Sequence, residues 1–305
     1  MPHSHAPLTR RSLLRYAALA AAACGIPKSL LGLGTDPDPD LARLEQWTAT
    51  LRAARLCAAN IPLGPSVVRV GELAAGTPYV PGTLDAYLTA GAALPSTEPL
   101  TLSLTRFDCV TLVESCLGVA RVARRDGVAT WEGFGQAIEA MRYRDGVRLG
   151  YASRLHYFSE WISNAAARGL IRELGAELGG RADSRPLRFM TEHRASYPAL
   201  ANDAVFDAIT IMERRLDAAP RWVIPTAQIP EVADQIQSGD VLAFATSIPG
   251  LDVTHAALAY RDTEGTLRVL HAPLSGGVVE VSRLALPEYV AAIRRGTGVI
   301  VARGE

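Results

Sequence analysis

Apolar positions along this chain change period once. Up to about residue 220 they recur at helical spacing. Leu41, Leu44, Trp47, Leu51 and Leu56 predict an amphipathic helix running to about Asn60. Leu112, Val113, Cys116, Leu117, Val119 and Ala120 predict another, entered at Asp108-Cys109 with Asp108 or Thr105 as its cap. Further helices are expected over 131–141, after the stretch Arg154 to Phe158 through Trp161 to about Arg168, and over 202–219, the last with Val205, Phe206, Ile209, Ile211, Met212 and Leu216 on its apolar side. Between Ile61 and Leu100, Gly and Pro are frequent and the chain reads as mostly irregular. Residues 79–84 are its most ordered part, placed to wall a cleft leading to Cys109.

From Gly239 onward the pattern becomes that of strands. Short apolar runs at 240–245, 255–260, 267–271, 277–281 and 298–301 are separated by turn residues such as Asp262, Gly265 and Gly276-Gly277. Helices followed by an antiparallel meander define an α+β fold. The turn at 262–265 closes a hairpin. If it is centred near 263 or 264, cross-strand partners sum to 526 or 527, which sets His255 opposite His271 on one face, with Cβ atoms about 5 Å apart. A slip of one residue would turn them to opposite faces. Small residues, Ala257 and Ala259, follow His255 on its face and would let a helix bring Cys109 against the imidazole.

The N-terminus reads differently from the rest. Thr9-Arg10-Arg11-Ser12-Leu13-Leu14 has the twin-arginine pattern, followed by a short apolar run, so residues 1–30 are expected to be an export signal. The run is far below the ~20 residues that span a bilayer. Ala21-Ala22-Ala23 offers ordinary cleavage and Cys24-Gly25 a weak lipobox that would anchor the chain by a lipid on Cys24. Either outcome places the mature protein outside the cytoplasm, in a periplasm. Residues 31–40 form a polar linker, and 41–305, with no later linker or repeat, a single domain.

Composition removes several classes. The 31 basic and 31 acidic side chains balance, so nothing suggests a nucleic-acid groove or a polybasic membrane patch. Apart from Cys24 the cysteines are Cys57, Cys109 and Cys116, an odd number that leaves a free thiol. No paired Cys or His spacing suggests zinc, and no metal or organic cofactor is expected.

Candidate chemistry centres on Cys109. A lone cysteine in an apolar helix is usually packing, as Cys116 is expected to be, seven residues on and roughly 10 Å up the axis. Cys109 differs because unsatisfied amides and the dipole at a helix start lower a thiol pKa. With His255 as base and His271 orienting it, the three form a nucleophilic constellation. A basic and aromatic cluster, Tyr151, Arg154 and His156, and the wall residue Tyr79 are the expected substrate contacts.

Taken together, these residues resemble the NlpC-type cell-wall cysteine hydrolases, a papain-like superfamily in which a cysteine helix precedes an antiparallel sheet carrying the base histidine. The 146 residues between Cys109 and His255 imply a helical insertion. Phe107-Asp108-Cys109-Val110-Thr111, Glu114, the stretch Tyr151 to Tyr157, Phe189-Met190, the stretch Gly250 to His255, and Leu270-His271-Ala272 are similar to one branch of that superfamily, N-acetylmuramoyl-L-alanine amidases acting on 1,6-anhydro-muropeptides. The resemblance covers roughly 41–303. It departs at Pro273-Leu274, where small hydroxyl residues are expected. It implies that Cys109 attacks the amide between (anhydro-)N-acetylmuramic acid and L-alanine, that a thioester forms, and that peptidoglycan fragments are the partners. An endopeptidase of the same superfamily cutting the D-glutamate/diamino-acid bond, and a non-catalytic muropeptide-binding envelope protein, are the competing readings.

Overall fold

A computed structural model describes residues 38–89, 91–274 and 277–305. The expected export signal, most of the linker and Cys24 lie outside the described residues. The first helix, α1 (Pro39–Ala53), is capped by the Asp38 side chain on the Asp40 amide and buries Leu44, Trp47 and Leu51. It ends well before Asn60. Arg55 adopts a left-handed φ of 58°, and the amides of Arg55 and Leu56 return to the carbonyls of Arg52 and Leu51, a paired closure that stops the helix.

The Gly- and Pro-rich segment contains an unanticipated helix, α2 (Leu63–Leu73), which buries Leu63, Val67 and Val70. Its glycines are contact points. A Cβ on Gly64 would stand 2.5 Å from the Ser238 carbonyl oxygen, and one on Gly71 2.7 Å from the Leu270 side chain. Glycine counted as a helix breaker in the sequence, whereas here it lets a helix touch the sheet.

Then come α3 (Cys109–Arg124), α4 (Trp131–Arg142), α5 (Phe158–Ala167), the short α6 (Phe189–Glu192), α7 (Asp203–Arg215), the short α8 (Ile229–Val232) and α9 (Leu286–Ala292). In α7, Ile209 and Met212 are buried but Ile211 is half-exposed, because position 211 turns away from the stripe through 205, 209, 212 and 216.

Eight antiparallel strands form one sheet: β1 (Ile171–Glu173), β2 (Arg181–Asp183), β3 (Arg221–Pro225), β4 (Val241–Thr246), β5 (Val253–Arg261), β6 (Leu267–His271), β7 (Glu280–Ala285) and β8 (Gly296–Gly304). The order is β2-β3-β8-β4-β5-β6-β7, with β1 also on β8. The meander β4 to β7 keeps the expected order, with its fourth strand at Glu280–Ala285 instead of 277–281. The last strand then returns beside β4, carried back by α9, a helix the sequence reading missed along with β1, β2 and β3. Strand β4 is buried along its whole length because helices cover both faces. One face, with Ala243, Ala256, Leu258 and Leu270, packs on α1 to α5; the other, with Leu242, Phe244, Ala257, Ala259 and Val269, packs on Leu286 and Val290 of α9. A third cluster, around Tyr151, Tyr157, Leu187, Met190, Leu200 and Ile209, is the core of the helical insertion.

Candidate active site

Asp108 is the cap of α3. Its side chain accepts from the Thr111 amide at 2.7 Å and its own amide donates to the Thr111 hydroxyl at 2.8 Å, which fixes Cys109 as the first helical residue. One turn further, Glu114 is fully buried. It accepts two bonds from the Arg142 guanidinium, at 2.9 and 2.7 Å, and one from the Trp161 indole at 3.2 Å. Helices α3, α4 and α5 are thus locked together beneath the cysteine. Cys116 is buried without a polar role.

The hairpin register sets the two histidines two positions out of step. Leu258 pairs with Leu270, and the ladder continues to Arg261 opposite Leu267, so partners sum to 528 because the turn is one residue longer than assumed. His255 therefore sits diagonally from His271. A shift of two preserves the face, and the rings still meet: His255 Nε2 lies 2.9 Å from His271 Nδ1, with ring centroids 5.2 Å apart. A bulge at Thr254, where Phe244 pairs with His255 but Ala245 with Val253, falls next to this contact.

The helix against the small residues Ala257 and Ala259 is α9; α3 packs on the opposite face of β5. Its N-terminus brings the Cys109 sulfur to the backbone amide of Ala256, the neighbour of His255. Phe244 stacks on His255 at 5.9 Å, and the Tyr289 hydroxyl of α9 stands 3.1 Å from His271 Nδ1. Asp252 is also buried. It accepts the Ser159 amide at 2.8 Å, capping α5 in place of a residue of that helix, and so anchors the start of the strand that carries His255.

Electrostatics depart from the expectation of a depressed thiol pKa. Burial, and after it the neighbouring Asp108 carboxylate, pushes Cys109 up to about 12, while the amides of Ala256, Val110 and Cys109 pull the other way. Water lost from around the sulfur outweighs three amides. Burial likewise pushes His255 down to about 3, His271 adding to it, and His271 down to about 4. These shifts favour the protonated thiol and the neutral form of both imidazoles.

Tyr79 is where the wall was expected. Its amide donates to Gly277 and the next amide, Val80, to Phe107, so it stitches the segment before Cys109 to the chain after His271. Burial and then the nearby Cys109 raise its phenol pKa. The other three expected substrate contacts are engaged with neighbouring protein groups. Arg154 is buried, its guanidinium 2.5 Å from Asp85 and 3.2 Å from Glu98. Tyr151 is buried beneath that guanidinium and His156 is bonded to the Tyr151 carbonyl at 2.9 Å. Local sequence clustering reflected residues that satisfy one another. Tyr289, Phe244 and the Ala256 amide were missed, since nothing in their local sequence marks them; Asp252 was legible only through resemblance. Among the described residues no group of three or more His, Cys, Asp and Glu could hold a metal ion.

The helix-start thiol thus meets the amide next in sequence to His255, and His255 bonds His271. The chain belongs to the AmiA-like family, described as N-acetylmuramoyl-L-alanine amidase-like, which matches residues 69–298. It is similar to the crystal structure of an N-acetylmuramoyl-L-alanine amidase from Bacteroides uniformis, at 28% identity and TM-score 0.72, covering 80% of this chain and 99% of that one. A Bacteroides fragilis structure named "putative xylanase" is 31% identical with TM-score 0.69, over 77% of this chain and 99% of that one. A Legionella pneumophila protein, 16% identical with TM-score 0.61 over 86% and 93%, shares the fold. No curated protein matches.

Proposed function

We propose that the protein is a cysteine-dependent N-acetylmuramoyl-L-alanine amidase of NlpC type, exported from the cytoplasm and acting on peptidoglycan fragments that end in 1,6-anhydro-muramic acid. The observation that carries the reading is the 2.9 Å contact between His255 Nε2 and His271 Nδ1, at the strand whose Ala256 amide meets the Cys109 sulfur. With Nε2 of His255 committed to His271, Nδ1 is the nitrogen left for the thiol.

Because the resting groups are neutral, the Cys109 proton passes to His255 as the sulfur attacks the lactyl carbonyl carbon. His255 then gives that proton to the departing amine of L-alanine, leaving a thioester. A water deprotonated by His255 attacks the thioester, and collapse releases the lactyl carboxylate and returns the proton to sulfur. Helix-start amides, Cys109's own included, supply oxyanion donors because they lack intrahelical partners. Tyr79 is the one expected substrate contact that remains a candidate. A glycosidase would need two carboxyl groups about 5–10 Å apart across a sugar. Here Asp108 is engaged in the helix cap, and the half-exposed Glu280 stands 4.0 Å from His271.

Mass spectrometry of anhydro- and reducing-end muropeptides digested side by side tests the proposal. Release of the intact stem peptide, faster from the anhydro substrate and abolished by Cys109→Ala, is expected. A truncated peptide would replace it with the endopeptidase reading, and binding without turnover with the non-catalytic one.

A further inference from the structure

Beyond the three groups of the proposed centre, a fourth side chain touches its inner imidazole. Nδ1 of His271 has two neighbours, His255 Nε2 at 2.9 Å and the Tyr289 hydroxyl at 3.1 Å, while its Nε2 looks toward Glu280 at 4.0 Å. A neutral imidazole carries one proton and one lone pair, so the state of Nδ1 decides the whole chain. If Nδ1 carries the proton, His255 Nε2 must be the acceptor, and the proton of His255 then sits on Nδ1, the nitrogen needed for the thiol. If Nδ1 is the lone pair, His255 donates from Nε2 and its Nδ1 is free to act as base.

Resting on the reading of His255 as the base, we infer that Tyr289 is a positioning residue: by donating its hydroxyl proton to Nδ1 of His271 it holds both histidines in the Nε2–H form that leaves His255 Nδ1 basic. The hydroxyl has no other protein partner among the described residues, so its proton has one protein acceptor. Both donors then share the single Nδ1 lone pair, at 2.9 Å from His255 and 3.1 Å from Tyr289. The groups facing His271 are His255 on β5, Glu280 on β7 and Tyr289 on α9, and Glu280, as a carboxylate, attracts the same His271 Nε2 proton. Burial, and secondarily the nearby Cys109, pushes the Tyr289 phenol up to about 12, so it retains the proton it donates. The ring itself packs edge-on to His271 and tilted against Phe244, contacts that a phenylalanine would keep.

The test is the nitrogen NMR spectrum of the full protein with 15N-labelled imidazoles, near neutral pH, in wild type and Tyr289→Phe, together with kcat and KM on the anhydro-muropeptide. The wild-type spectrum should show Nε2–H and a bare Nδ1 on both histidines. The variant should show His271 divided between tautomers, with kcat reduced on the order of fivefold, about the worth of one hydrogen bond, and KM unchanged. A protonated Nδ1 on wild-type His271 overturns the inference even if the variant does not fold, and so does a variant with tautomers and kcat like wild type. Should no muropeptide be turned over, the amidase proposal fails by itself. The alkylation rate of Cys109 by iodoacetamide then takes the place of kcat, and the spectra still decide the role of Tyr289.

Discussion

His255 and His271 touch although they are not cross-strand partners. The ladder that pairs Leu258 with Leu270 leaves His255 two positions out of register with His271, and the imidazoles close the gap diagonally, Nε2 to Nδ1 at 2.9 Å. The bulge at Thr254 lies next to the contact, and Phe244 and Tyr289 flank the two rings.

If the pair works as a unit, its two deletions will not add. His255→Ala should lower kcat/KM on the order of 10⁴-fold and His271→Ala about 10²-fold, the span of proton-transfer catalysis. The double variant should be no slower than His255→Ala. Steady-state kinetics on a purified muropeptide measures all three; additive losses would mean that the histidines act separately.

Cys109 should alkylate slowly at pH 7 and gain about tenfold per pH unit past pH 10, because its pKa is pushed up to about 12. A free thiol would level off above about 8.5. Cys116, fully buried and with its own pKa raised by burial, should react more slowly still. Peptide mapping after timed iodoacetamide exposure reads both rates, and a Cys109 plateau near neutrality would show a preformed thiolate.

The buried imidazoles make stability depend on acid. Their folded pKa values lie below the ordinary 6.5, so between about pH 6.5 and 4 the unfolded chain binds protons that the folded chain does not. Stability from this source is intact above pH 6.5 and falls as pH drops. His271→Gln removes one such proton, and relative to wild type it should gain about 2 kcal/mol between pH 7.5 and pH 5. Urea midpoints at the two pH values check this, and a constant difference would mean that His271 titrates normally.

Glu114 and Arg142 form a pair with side chains 1% and 4% exposed, and removing one partner strands the other. Arg142→Ala should cost about 3–5 kcal/mol, while replacing both with apolar side chains of similar size should cost far less. Equilibrium unfolding of the single and double variants distinguishes this from a weak surface-type bridge.

Much of the fold was legible because it rests on local periodicity. The α3 start at Asp108-Cys109, α4, α5 and the meander β4 to β6 follow from apolar spacing and turn residues. The pieces that were not legible are made by contacts distant in sequence. Helix α2 looks like a broken segment until Gly64 and Gly71 are seen against Ser238 and Leu270. The strands β1, β2 and β3 are short, β1 and β2 are mostly polar, and all three owe their pairing to β8 or to each other.

For the candidate site the division is the same. The residue types and their order were readable by themselves: a cysteine at a capped helix start, then two histidines flanking a hairpin, on a face whose parity survives a two-residue slip. Tertiary structure alone decided that burial raises the Cys109 pKa, that Arg154 pairs with Asp85 and Glu98, and that the Tyr289 hydroxyl stands against His271. Periodicity is a property of a few neighbouring residues and can be read along one segment. Desolvation and hydrogen-bond partnership depend on which distant segments exclude water from a group, and that is set only when the sheet and its two layers of helices close around it.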